Sequence, residues 1–289
     1  MKKEKQVFII GGDARYIELI RQLQSLKDIR LTLIGFDQLE QSFTSLKQSN
    51  IEDIDPDIVD VVILPITGTD EKGSVEVVFS NQQIQLSKEW FNKLKPSAKI
   101  FTGITSKYLQ EVTNAANIKL FPLLNRDDIA IYNSIPTAEG TIMKAMEYTD
   151  YTIHSSYVTV VGFGRVGHTV ARTFYALGAN VSVSARNKKD LARITEMGLQ
   201  AIPLHELKQN VSTCDILINT VPAPVITKQE IEQLPTHCLI IDLASKPGGT
   251  DFSYAKKRGI HAILSKSLPG IVAPKTAGKI LADVIIKLM

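Results

Sequence analysis

Val158-Thr-Val-Val-Gly-Phe-Gly-Arg-Val-Gly167 joins an apolar run to Gly162-x-Gly164-x-x-Gly167 and then to a segment of helical spacing, Val166 to Leu177. The order strand, glycine turn, helix is what gives the motif weight. Gly162 permits a tight turn, Gly164 lets backbone approach a pyrophosphate, and Gly167 lets helix and strand pack closely, with the helix N-terminus aimed at the phosphates. Phe163, Arg165 and Val166 line the same turn. A second strand-like run, Asn180-Val-Ser-Val-Ser184, follows at the distance expected of a βαβ unit, and this context turns a weak motif into a dinucleotide-binding fingerprint. A glycine turn that merely packs is the competing reading.

The end of that second strand bears on which dinucleotide. An Asp or Glu there would bond the ribose 2′-hydroxyl of NAD, but the chain reads Ser184-Ala-Arg186-Asn-Lys-Lys189. A hydroxyl, a guanidinium and nearby ammonium groups suit a 2′-phosphate, because Arg presents paired donors to phosphate oxygens. The expectation is NADP, against the alternative of a solvated basic turn, with Ser184 and Arg186 as the contacts.

With 289 residues, the chain exceeds one ordinary domain. Hydrophobic content of 44% and charged content of 22% fit a globular protein, and a net charge of +3 is too small to argue for nucleic acid. Cys214 and Cys238 form no CxxC pair, so reduced thiols and no metal site are expected. The basic start, Met1-Lys-Lys-Glu-Lys-Gln6, leads only to a short apolar run, and no stretch reaches about 18 apolar residues, so no membrane span and a cytoplasmic setting are expected.

From the start, strand-like runs at Val7 to Ile10, Leu31 to Ile34, Val59 to Ile66, Lys99 to Ile104 and Ile118 to Leu124 alternate with helical spacing. Val75 to Phe79 reads ambiguously, as an extra edge strand. Ser87 and Ser106 are placed to cap helices, and Thr227-Lys-Gln-Glu230 has the capping-box pattern. In the second half, Val158, Asn180, Leu199 to Ile202, Asp215 to Val221, Leu239 to Leu243 and Ile260 to Leu264 make six strands. Alternation of this kind predicts an α/β protein of two doubly wound parallel-sheet domains, the C-terminal one a Rossmann domain, with a cleft between them. The expected division is a flavodoxin-like domain over 1–135, a connecting helix and crossing over 136–156, and the NADP-binding domain over 157–273. A terminal helix over 274–289 is expected to brace the first domain.

Ligands gather at the carboxyl ends of parallel strands, which marks further candidates. Thr220, Val221 and Pro222, with Asp242, Leu243 and Ala244, form the expected outer shell of the cofactor. Asp13 and Arg15, after the first strand, are candidates for a substrate carboxylate, a helix cap being the alternative. Asn133, Ser134 and Thr137 precede or open a helical pattern in which Pro136 reads as a first-turn proline, so they are either caps or cleft residues. Lys275, at the start of the last helix, is the second candidate cation.

Gly11-Gly-Asp-Ala-Arg15, Pro136-Thr-Ala-Glu-Gly140, Thr152-Ile-His-Ser-Ser156, the turn Gly162 to Gly167, Ser184-Ala-Arg186, and Leu268-Pro-Gly270 with Ala273-Pro-Lys-Thr-Ala-Gly278 together resemble the family of dipicolinate synthase A subunits, over essentially the whole chain. The resemblance implies NADP-linked oxidation of dihydrodipicolinate to dipicolinate in the mother cell of a sporulating bacterium, with a second, flavoprotein-like B subunit of dipicolinate synthase. It implies an architecture similar to two-domain 2-hydroxyacid and alanine dehydrogenases, and a homo-oligomer is expected. The Arg, His and carboxylate set of the 2-hydroxyacid enzymes is missing. Of the five histidines, His154 is the weak candidate for acid or base. The residues leave open an NADP(H)-sensing or scaffold protein without chemistry, or a dehydrogenase of another small carboxylic acid.

Overall fold

The computed structural model describes residues 4–39 and 46–289, so Met1 to Lys3 of the basic start lie outside the described residues. The chain divides into two compact units, Met1–Ala130 with Ala273–Met289, and Ile131–Val272.

In the first unit, β1 (Lys5–Ile10), α1 (Ala14–Gln24), β2 (Ile29–Ile34), β3 (Lys47–Gln48) and β4 (Val61–Ile63) come in order. A small excursion, β5 (Ser74–Val75) and β6 (Ile84–Gln85), leads to α2 (Lys88–Asn92), β7 (Lys99–Thr102), α3 (Lys107–Ala115) and β8 (Lys119–Pro122). The six-stranded parallel sheet has the order β3-β2-β1-β4-β7-β8. This is the 3-2-1-4-5-6 arrangement of a nucleotide-binding half-pair, which corrects the flavodoxin-like expectation of 2-1-3-4-5. The difference comes from β3, a polar, exposed two-residue strand that carries no apolar signal. The ambiguous run at Val75 does not join this sheet, because β5 pairs antiparallel with β6 instead.

Ser87 and Ser106 cap α2 and α3 as expected, accepting from the N–H groups of Trp90 and Leu109. α4 (Asp127–Tyr148) then runs as one helix with Pro136 in its interior, correcting its placement near a helix start. Asn133, Ser134 and Thr137 are therefore not caps. Thr137 Oγ1 donates to the Asn133 carbonyl at 2.7 Å and Ser134 Oγ to the Ile131 carbonyl at 2.6 Å, so their hydroxyls turn back onto the helix around the proline.

The second unit continues with β9 (Tyr157–Val161), α5 (Arg165–Ala176), β10 (Asn180–Ala185), α6 (Lys188–Glu196), β11 (Gln200–Pro203), β12 (Ile216–Asn219), α7 (Lys228–Ile231), β13 (Leu239–Asp242), α8 (Phe252–Lys257), β14 (His261–Leu264) and α9 (Leu268–Val272). Its parallel sheet has the order β11-β10-β9-β12-β13-β14, so strand order reverses between β9 and β12. Central strands buried on both faces read as continuous apolar runs, and β12 and β13 are buried at every residue. The Thr227 to Glu230 capping box is present.

α10 (Pro274–Leu288) returns to the first unit, where Leu281, Ala282 and Ile285 join the core of Val7, Ile9, Leu19 and Leu23. Gly278 sets how close it comes, since a Cβ there would stand 2.2 Å from the Arg15 carbonyl. At its far end, Lys5 Nζ donates to the Met289 carbonyl at 2.8 Å and Lys99 Nζ to the Leu288 carbonyl at 2.6 Å. Those lysines open β1 and β7, so α10 runs from the carboxyl edge of this sheet to its amino edge, alongside α1.

Candidate functional site

The three glycines after β9 meet three different surroundings. Gly162 has φ +99°, and a Cβ on it would lie 2.4 Å from Thr220 Oγ1. Gly167 is packed against the strand, with the Gly162 carbonyl 2.1 Å from a Cβ position. Around Gly164 nothing lies within 4 Å of that position. Only glycine suits the first turn, only glycine fits the helix contact, and the middle glycine faces open space above the N-terminus of α5. Gly164 has no side chain with which to cap that helix, so the first-turn amides are presented to whatever fills the space.

That space is a cavity of about 470 Å³ bounded by Gly162, Phe163 and Gly164 on one side, Ser184, Ala185, Arg186, Asn187 and Asp190 on a second, and Leu204, Thr220, Val221, Pro222, Ala223 and Val225 on the rest. It lies where β9 and β12 diverge, at the reversal of strand order. Ser184 is fully buried, yet its Oγ has no hydrogen-bond partner. A buried hydroxyl left unpaired costs on the order of 1–3 kcal/mol, and a ligand oxygen in the cavity removes that cost. The open Gly164 and the orphaned Ser184 hydroxyl both fit a dinucleotide.

Of the expected cofactor residues, Gly162, Phe163, Gly164, Ser184, Arg186, Thr220, Val221 and Pro222 line this cavity. Arg165, Val166 and Gly167 form the first turn of α5 beside it. Asp242, Leu243 and Ala244 do not line it. The Asp242 carboxylate is fully buried and faces inward, where Oδ1 accepts from Asn219 Nδ2 at 3.1 Å and Ala244 N–H at 2.9 Å, and Oδ2 from Gly249 N–H at 3.1 Å. Asn219 in turn holds Val221 by both backbone groups, at 3.0 and 3.1 Å. Asp242 thus fixes the loop that lines the cavity rather than the ligand itself. Ala185, Asn187, Asp190, Leu204, Ala223 and Val225 also line the cavity and are not among the residues expected from sequence. Asp190 matters most, an acid one helical turn beyond Arg186 that accepts from Asn187 Nδ2 at 3.2 Å.

His154 lies elsewhere. A Cβ on Gly178 would meet its ring at 2.4 Å, and Ser155 N–H donates to the Gly178 carbonyl at 2.8 Å, which puts His154 at the amino ends of β9 and β10. The length of β9, roughly 13 Å, separates it from the glycine turn. The side chain is exposed, with Nδ1 2.9 Å from Ser155 Oγ, and it takes no part in the cavity. Its place after a long helix suggested a crossing, and sequence carries no signal for which end of the sheet a crossing joins.

In the second unit Ser134 Oγ is 2.6 Å from Thr169 Oγ1 on α5, which ties α4 to the helix that carries the glycine turn. Asn133 Oδ1 is buried without a partner, while Thr137 is committed to its own helix. In the first unit Asp13 caps α1 and grips Arg15 by both oxygens, Oδ1 accepting from Nε at 2.9 Å and Oδ2 pairing with Nη2. Arg15 is largely buried and Lys275 exposed. Because α1 and α10 both begin at the carboxyl edge of the first sheet, the fold brings these two cations to the same edge. Among the described residues no helix is long and apolar enough to cross a membrane, and no group of His, Cys, Asp and Glu is arranged to hold a metal.

Two family models match the chain. Residues 6–124 match the N-terminal domain of the dipicolinate synthase A subunit, and residues 129–245 match the NAD binding domain of D-isomer specific 2-hydroxyacid dehydrogenase. The dipicolinate synthase A subunit of Bacillus subtilis (strain 168) is 50% identical over 284 residues, 98% of this chain and 95% of that protein. The crystal structure of the dipicolinate synthase A subunit from Bacillus halodurans superposes with a TM-score of 0.95 at 51% identity, covering 100% of this chain and 98% of that one. Shikimate dehydrogenase (NADP(+)) of Shouchella clausii (strain KSM-K16) is 31% identical over 121 residues, 38% of this chain and 44% of that protein.

Proposed function

The chain belongs to the family of dipicolinate synthase A subunits, and from that premise we propose that it oxidises dihydrodipicolinate to dipicolinate with NADP as electron acceptor, working with the B subunit of that enzyme. It is an oxidoreductase with a role in dipicolinate synthesis, and its second unit is a nicotinamide dinucleotide-binding domain. The observation that carries the reading is the cavity at Gly164, open where a pyrophosphate belongs and walled by an orphaned Ser184 hydroxyl.

The bound dinucleotide supplies a two-electron acceptor. The chain supplies the rest: first-turn amides of α5 would donate to the pyrophosphate, Thr220 to Pro222 are held in place through Asn219 and Asp242, and Arg186 with Ser184 would hold the 2′-phosphate. Support for NADP over NAD comes from Arg186 on the cavity wall and from the absence of an acid at the very end of β10. The shikimate dehydrogenase relative, named for NADP(+), points the same way. Asp190 opposes it, but its carboxylate is engaged by Asn187, while the Arg186 side chain is exposed.

Arg186→Ala is expected to weaken NADPH by the worth of one charge-assisted hydrogen bond, about 1.5–3 kcal/mol or roughly tenfold to a hundredfold, with NADH nearly unchanged. Fluorescence titration with both reduced cofactors checks it. Equal losses for both remove the NADP assignment.

The substrate is a dicarboxylate and needs more than one cation. Arg15 and Lys275 are our candidates, with Asn133, Ser134 and Thr137 of α4 next in line. Asp13 holds the Arg15 fork by its Nε edge, which orients the guanidinium for a second carboxylate. Arg15→Met and Lys275→Met are each expected to raise the substrate KM at least tenfold, about 1.4 kcal/mol, with NADPH affinity unchanged. Saturation curves with the B subunit present decide this, and unchanged curves move attention to α4.

A further inference from the structure

The two cysteines lie at the end of the second unit's sheet opposite the cofactor cavity, and the fold brings them together. Cys238 stands immediately before β13, and Cys214 one residue further out from β12. These strands are parallel neighbours with Ile216 opposite Leu239. The pairing extends outward, since Leu239 N–H donates to the Asp215 carbonyl at 2.9 Å. Asp215 and His237, the residues beside the cysteines in sequence, meet toward solvent, with Asp215 Oδ1 2.9 Å from His237 Nε2. Cys214 and Cys238 turn the other way, into one core with Leu217, Ile240 and Ala255. Cys214 Sγ is 3.2 Å from the Ile216 carbonyl and Cys238 Sγ 3.8 Å from the Leu239 carbonyl, so the thiols sit at two residues that face each other in the register. A strand spacing of about 4.8 Å and an offset of one residue put their Cα atoms roughly 6 Å apart, within the range of about 4.4–6.8 Å that a disulfide spans.

Both are free thiols and buried, yet they differ in access. A cavity of about 230 Å³ at the amino edge of the sheet has exposed Tyr157, Gln200, Gln209, Ser212 and Thr213 around it and Cys214 in its lining. Cys238 does not line it. Water occupies about 30 Å³ per molecule in the liquid, so the cavity has room for a small hydroperoxide. Their acidities divide the same way. At Cys214 burial pushes the thiol up, but contacts with Cys238 and Thr159 outweigh it and hold the group below its usual value. At Cys238 the contact with Cys214 and burial both push the thiol well up.

We infer that Cys214 and Cys238 are an oxidisable pair, Cys214 meeting a hydroperoxide through the cavity and Cys238 resolving the product into a disulfide that joins the amino ends of β12 and β13. In the first step the Cys214 thiolate attacks one peroxide oxygen. The O–O bond breaks, sulfur is oxidised to a sulfenic acid, and the other oxygen leaves as water or an alcohol with the thiol's proton. Cys238 sulfur then attacks the sulfenic sulfur, the S–O bond breaks, the S–S bond forms, and water departs with the Cys238 proton. Dithiols reverse the change by exchange. The bond closes the stretch 214–238, which carries Thr220 to Val225 of the cofactor cavity, and such a closure stabilises mainly by restricting the unfolded chain.

The test treats the folded full-length protein with hydrogen peroxide, at a dose that fully oxidises free cysteine in the same buffer, then unfolds it in maleimide and weighs it. Wild type should lose two hydrogens and take up no maleimide, remain a single chain on a non-reducing gel, melt no lower than the reduced protein, and regain both maleimide sites after dithiothreitol. Cys238→Ser should stop at a Cys214 sulfenic acid that dimedone traps, and in Cys214→Ser the Cys238 thiol should stay reduced. Wild type that keeps both thiols, goes to sulfinic acid without a disulfide, links chain to chain or melts lower once oxidised overturns the inference, as does a Cys214→Ser protein whose Cys238 oxidises as readily as the wild-type pair. The wild-type readings stand if either variant fails to fold, and none of them depends on the proposed oxidation of dihydrodipicolinate.

Discussion

Gly164→Val is expected to abolish NADPH binding, a loss of more than about 100-fold, in a protein that still folds. The residue sits at φ −80° and ψ −165°, extended backbone that valine adopts readily, and no atom lies within 4 Å of its Cβ position. The folded chain therefore gains a side chain without a clash. As an N-cap, valine costs about 1 kcal/mol or less relative to glycine. The added side chain stands where backbone must meet the pyrophosphate, so both the contact and the approach to the α5 amides are lost. Calorimetric titration and a melting curve on the same sample give the two readings. Wild-type affinity in the variant would place the pyrophosphate elsewhere.

Gly167→Val is expected to do the opposite, damaging the fold itself. Its Cβ would lie 2.1 Å from the Gly162 carbonyl and 3.1 Å from Thr220 Oγ1, contacts that only a shift of α5 away from β9 relieves. Overpacking of a buried backbone contact costs about 3 kcal/mol, the upper end of the usual range. For a unit of this size that is a fall in melting temperature of roughly 6–12 °C. NADPH would recover part of the loss if the site reforms around it, by mass action. A melting temperature within about 2 °C of wild type contradicts the close packing of helix on strand. The two substitutions, three residues apart in one motif, separate a glycine kept for a ligand from a glycine kept for the fold.

What sequence makes legible here is whatever leaves a periodic or steric trace. The strands β12 and β13 read as short apolar runs because every residue in them is buried, and the three glycines answer three local demands that the motif spacing states in advance. Ser87, Ser106 and Thr227 were readable as caps because their hydroxyls serve amides only two or three residues away. The misreadings share a cause in tertiary context. β3 is two polar residues paired to a neighbour, with nothing in its own composition to reveal it. Pro136 sits inside α4 because Ser134, Ala138 and Thr141 are buried on packed faces, and that packing holds the helix through the lost amide. Asp242 looked like a cofactor contact from its position at a strand end. Its carboxylate instead turns inward to three protein donors, one of them the Gly249 amide in the loop that follows β13. Asp190 escaped notice because it belongs to the first turn of α6 and not to β10.

The most direct measurement follows the near-ultraviolet absorbance of reduced nicotinamide after the chain is mixed with the B subunit, dihydrodipicolinate and either NADP or NAD. The account predicts one NADPH formed per dipicolinate, a rate that depends on this chain and is lost with Gly164→Val, and a preference for NADP that Arg186→Ala removes. Dipicolinate formed at an undiminished rate by the Gly164→Val protein, or a chain that binds NADPH tightly while no reduced nicotinamide appears, would contradict it and leave a protein that senses the cofactor without using it.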